Sequence, residues 1–110
     1  MADYMIQLSY TAQATAALVA RPQNRLDVVQ KSVESLGGKV HSFWMCFGEY
    51  DVVGMIEMPN NIAAAAFAMA LAAGGACHNV KTTPLLKLEE SVKAMKKAGN
   101  TGYTPVTSTE

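Results

Sequence analysis

An α+β domain of the ferredoxin-like plan, β-α-β-β-α-β, is predicted by three features of the sequence. Residues 4–10 alternate strictly, with Tyr4, Ile6, Leu8 and Tyr10 pointing one way and Met5, Gln7 and Ser9 the other. A helical stripe of Leu26, Val29, Val33 and Leu36 is followed by two extended segments, 40–47 and 52–58, joined through Gly48-Glu49. A second helix, 62–73, then leads to a further extended stretch at 79–83.

Each element has its own local reason. Thr11 to Ala20 is alanine-rich and predicts a short helical turn that Arg21-Pro22 stops. Asn24 suits an N-cap for the next helix, with Asp27 in its first turn, and Gly37-Gly38 supplies the left-handed cap that ends it. The β-branched and aromatic content of 40–47 and 52–58 predicts strands, and a glycine-first pair between them suits a two-residue hairpin turn. Pro59-Asn60-Asn61 breaks the chain and caps the alanine-rich helix, which small side chains should let lie close to its neighbours. Pro84 marks the last strand as an edge, because proline cannot donate to a ladder. Residues 88–98 predict one more helix, with Glu89 and Glu90 at its start, Lys96 and Lys97 at its end, and a Glu89–Lys93 pair along one side. The domain is therefore expected over 1–98. A polar tail over 99–110 is expected to wrap a neighbouring subunit through Tyr103 and Val106.

The chain has 110 residues, enough for one core, with 50% hydrophobic and 16% charged residues. Nine basic residues balance nine acidic ones, which disfavours a nucleic-acid footprint or a polybasic membrane anchor. The longest apolar run, Ile62–Ala73, falls short of the roughly twenty residues a membrane helix needs. Cys46 and Cys77 form no C-x-x-C pair and are expected to be reduced thiols of a cytoplasmic protein.

A two-residue turn at Gly48-Glu49 would pair Phe47 with Tyr50, Cys46 with Asp51, Trp44 with Val53, Ser42 with Met55 and Val40 with Glu57. Cross-strand partners share a face. Trp44, Ser42, Cys46, Asp51 and Glu57 would then share the helix-free face with Val53 and Met55, while His41, Phe43, Met45, Phe47, Val52 and Ile56 would lie under the helices. An uncovered face carrying Trp44, Val53 and Met55 predicts that a second copy covers it, as in a dimeric α/β-barrel with a cavity between two sheets.

The segments Leu36-Gly37-Gly38-Lys39-Val40, Gly48-Glu49-Tyr50-Asp51-Val52-Val53, Ala63-Ala64-Ala65-Ala66-Phe67-Ala68 and Asn79-Val80-Lys81-Thr82-Thr83-Pro84-Leu85 resemble those of the GYD-domain family, over roughly residues 4–90. The resemblance implies a ferredoxin-like domain that assembles into oligomers, and no particular reaction. The tail beyond Gly99 and the Cys77-His78 pair depart from it.

Within such a cavity Glu57 is the leading candidate for chemistry, since a carboxylate withdrawn from water on an apolar face suits general acid–base work. Asp51 and Tyr50 offer a second carboxylate and a phenol, with stabilisation of the hairpin as the competing role. Gln7, Ser9, Ser42 and Trp44 are candidate ligand-binding residues. His41, Cys46, Cys77 and His78 lack metal-ligand spacing, so neither a metal nor another cofactor is expected. No phosphate-binding or dinucleotide-binding glycine motif is present. Three readings follow: a homo-oligomer that binds a small metabolite between facing sheets, a cofactor-free acid–base enzyme using the same cavity, or a purely structural oligomeric subunit.

Overall fold

In the computed structural model, which describes residues 1–107, the order is β1 (Ala2–Tyr10), α1 (Ala12–Ala20), α2 (Leu26–Ser35), β2 (Lys39–Met45), β3 (Val52–Met58), α3 (Asn61–Ala73), β4 (Cys77–Leu85) and α4 (Leu88–Gly99). The four strands form one antiparallel sheet in the order β2-β3-β1-β4. That is the ferredoxin-like arrangement, with β2 and the proline-bearing β4 at the edges as expected.

Alternation along the central strands builds the core on one side of the sheet. Tyr4, Ile6, Leu8, Ile56 and Met58 point to the helices and meet Val33 of α2 with Ala64 and Phe67 of α3. The α2 stripe is shallower than its spacing implies, for only Val33 is fully buried. The N-cap position of α2 falls to Arg25 rather than the expected Asn24; the Asn24 side chain, one residue earlier, accepts the Leu26 N–H at 2.9 Å, and Gly37 leaves the helix at φ +83°. Asn60 caps α3 by accepting the Ala63 N–H at 2.9 Å. The phenol of Tyr4 reaches the same end of α3 and donates to Asn61 Oδ1.

Where a short turn is expected after Thr11, the chain forms a full helix. Thr11 caps α1 by accepting the Ala14 N–H, but the alanine run has no apolar stripe and buries nothing. At the other end, α4 forms as its charge pattern predicts, with Glu90 accepting the Lys87 N–H at 3.2 Å. It also contributes no buried residue, and Leu88, Val92 and Met95 stand exposed along it. Tyr103 and Val106 are likewise exposed, and the end of the expected wrapping tail, 108–110, lies outside the described residues. No helix of the described residues is long and apolar enough to cross a membrane.

The β2–β3 hairpin departs from expectation at both ends. Trp44↔Val53 and Ser42↔Met55 pair as expected, but a bulge between Val40 and Ser42 then shifts the ladder. Val40 therefore opposes Ile56, and Lys39 rather than Val40 opposes Glu57. The extra residue, His41, leaves the helix side, where strict alternation would put it. At the turn the strands part before a two-residue connection can form. Cys46 N–H donates to the Asp51 carbonyl at 2.9 Å, but the Asp51 N–H turns to the Leu8 carbonyl at 2.7 Å, and Gly48 sits at φ +129°. Met45 and Phe47, expected beneath the helices, are 84% and 90% exposed, for Met45 borders an open cleft at the end of β2 and Phe47 lies past that end in the loop.

Candidate functional site

The helix-free face of the sheet is built by the alternate residues of the same strands. Register places Met5 beside Met55, and Gln7 beside Val53. On the other flank of β3, Ser42 pairs with Met55 and Trp44 with Val53. Gln7, Ser42, Trp44 and Glu57 thus share one face with Met5, Val53 and Met55, as alternation predicts. Trp44 is 67% exposed.

At one end of this face three ionisable side chains from three neighbouring strands converge. His41 Nε2 lies 3.0 Å from Glu57 Oε2 and 4.0 Å from Asp3 Oδ1. Asp3 and Glu57 are registered partners on β1 and β3. Glu57, with its side chain 26% exposed, accordingly lies against the His41 imidazole rather than standing as a lone carboxylate. Alternation along β1 would have brought Asp3 to this face with Met5 and Gln7. Nothing in the sequence marks the bulge that turns His41 onto it.

Tyr50, Asp51 and Ser9 do not join Glu57. Asp51 precedes β3 and Glu57 nears its far end, a separation of roughly 20 Å along an extended strand. Asp51 Oδ2 accepts the Tyr10 N–H at 2.8 Å, and the Ser9 hydroxyl, on a residue only 9% exposed, donates to the Glu49 carbonyl at 2.7 Å. These bonds tie the 46–51 loop to the end of β1. Tyr50 is half-buried in that loop, and its carbonyl accepts from the Cys46 thiol at 3.2 Å.

Beyond the sequence expectations, a cleft of about 540 Å³ opens on the helix side, between α1, the start of α2 and the sheet. Leu8, Val29, Phe43 and Val52 supply apolar walls, with Tyr10, Arg25 and Asp51 among its polar groups. Burial pushes the Tyr10 phenol above its ordinary value, with Cys77 and Asp51 adding to the rise and Arg25 opposing it. Burial alone pushes the Cys77 thiol up, which makes it a poor nucleophile. Cys46 and Cys77 are both free, and neither meets His41 or His78 in a metal-binding group among the described residues.

A profile of the GYD domain matches residues 4–95. No curated protein matches the chain. Among solved structures, the crystal structure of FFRP-DM1 is similar with a TM-score of 0.50 and 15% identity, over 78% of this chain and 100% of that one. The hypothetical protein PHS023 from Pyrococcus horikoshii aligns with a TM-score of 0.51 and 14% identity, over 79% of this chain and 92% of its own. At such identities the likeness is one of fold.

Proposed function

The chain belongs to the GYD domain family, and from that footing we propose that it works as a cytoplasmic homo-oligomer in which two helix-free sheet faces meet and hold a small metabolite between them. One observation carries the reading: Met5, Val53 and Met55 form an apolar strip, half-buried within a single chain, on the sheet face opposite the core residues, with Trp44 exposed beside Val53. A strip of this kind is costly to leave in water and self-complementary across a two-fold axis. Methionine adapts to ligands of irregular shape and tryptophan offers a flat apolar surface, while the Gln7 amide and Ser42 hydroxyl offer directional hydrogen bonds beside them. The two free thiols suit a reducing compartment.

The chain's single tryptophan reports on this directly. Trp44 emission is expected to shift to shorter wavelength as concentration rises, in step with a doubling of mass or more by light scattering. Val53→Lys should abolish both changes and leave the far-ultraviolet circular dichroism intact. Native mass spectrometry of protein purified from its source should then show retained small-molecule mass on the oligomer. A monomer at every concentration, with Trp44 emission unchanged, would overturn the reading.

A further inference from the structure

Asp3 and Glu57 set two like charges side by side on β1 and β3, and among the described residues His41 is the only basic group within 4.0 Å of either carboxylate. One ligand atom from each of the three lies within 4.8 Å of the other two. We infer that this triangle is a binding site for a divalent transition-metal ion, with His41 Nε2, one Glu57 oxygen and one Asp3 oxygen as its protein ligands.

The geometry is close to what an ion requires. Ligand atoms about 2.0–2.2 Å from a zinc-like ion stand roughly 3.3 Å apart in a tetrahedral shell. The His41–Glu57 spacing of 3.0 Å and the His41–Asp3 spacing of 4.0 Å bracket that value, so modest side-chain rotations would close the set. Charge points the same way. With a neutral imidazole the ligands carry two negative charges, matching a divalent cation. A nitrogen donor argues against calcium or magnesium, which prefer oxygen, and the lack of thiolate argues against copper(I).

Two further features bear on the site independently of the side-chain distances. The β2 bulge falls at His41, and it is this irregularity that delivers the imidazole to the carboxylates. Asp3 and Glu57 also line a depression of about 250 Å³, whose other walls include Glu89 and Glu90 from α4, with Lys87 opposing them in charge. Three protein ligands leave a coordination position free, the pattern of sites that hold a water or a ligand on the ion rather than merely stapling the fold. All three ligands come from one chain, so the inference does not depend on two copies associating.

The test is calorimetric titration of zinc(II) and cobalt(II) into the metal-free, tag-free full chain. One equivalent per chain is expected, and His41→Gln and Glu57→Gln should each weaken binding roughly tenfold or more with the fold unchanged by circular dichroism. Bound cobalt(II) should show visible absorption without a thiolate charge-transfer band. A Cys46→Ser/Cys77→Ser/His78→Gln variant should bind as well as the parent, and so should monomeric Val53→Lys. No stoichiometric binding, or binding that survives loss of His41 and Glu57, overturns the assignment. Either result leaves the sheet-to-sheet association to be judged by its own mass measurement.

Discussion

The aromatic ring of Phe43 lies against the bare backbone of Gly54, its registered partner across the β2–β3 ladder. A methyl group at residue 54 would clash with one edge of the ring, because Phe43 Cδ1, Cε1 and Cγ crowd the space that a Cβ would take. Gly54 is buried between strands that both carry larger neighbours, so the glycine is there for the close approach. Gly54→Ala should therefore expel the Phe43 ring toward the helix-side cleft and destabilise the fold by about 1–3 kcal/mol. A urea midpoint equal to that of the parent would refute this packing relation.

Asp51 is expected to be a structural residue in its measurable effects. Its carboxylate receives the Tyr10 N–H and its own N–H reaches the Leu8 carbonyl, so it pins the hairpin loop to the end of β1 from two directions. Asp51→Ala removes the charged acceptor and should cost roughly 1.5–3 kcal/mol, whereas Asp51→Asn, which keeps an acceptor oxygen, should cost less. Amide hydrogen exchange at Tyr10 provides the local readout. Protection there that is indifferent to the alanine substitution would mean that the bond does not hold the loop.

These two relationships differ in how far the sequence discloses them. Period-two alternation in β1 and β3 specifies the core face through Tyr4, Ile6, Leu8, Ile56 and Met58, and by subtraction the opposite face of Gln7, Val53 and Met55. The Trp44↔Val53 pairing follows from centring the hairpin on Gly48-Glu49, although the tight turn itself does not form. The bulge at His41 is invisible because no glycine or proline marks it within Lys39–Met45, where strict alternation is the only local signal. A one-residue shift exchanges faces, which is why Glu57 gains an imidazole where an apolar neighbour is expected. The cleft is hidden for a related reason. It depends on α1 forming without burying anything, and an alanine run has no periodicity from which to read that outcome.

Alkaline pH should loosen the fold through the groups at the end of β1 and the start of β4. Tyr10 and Cys77 are registered partners, and burial raises the proton affinity of both in the folded chain. For such groups the unfolded chain releases its proton first, so their contribution is complete at lower pH and declines as pH rises. The decline begins near the ordinary thiol value of 9.0 and continues past the ordinary phenol value of 10.0. Thermal midpoints should fall across this range, and Tyr10→Phe combined with Cys77→Ser should flatten the fall. An equally steep profile in the double variant would place its origin elsewhere.

Helix α4 should be dispensable to the stability of a single chain. Leu88, Val92 and Met95 recur at four- and three-residue spacing and make an apolar side, yet all three are exposed and no residue of the helix is buried. The helix is held locally instead, by the Glu90–Lys87 cap and by the acids and lysines that complement its dipole. Replacing Leu88, Val92 and Met95 together by glutamine keeps these local terms and removes only apolar surface that touches no core. In the monomeric Val53→Lys background the urea midpoint should therefore stay within what surface substitutions give, about 0.5 kcal/mol. A larger loss would mean that α4 folds back on its own sheet in solution. If the triple substitution instead lowers self-association in the parent while the monomer is unaffected, this helix face takes part in the contact between copies.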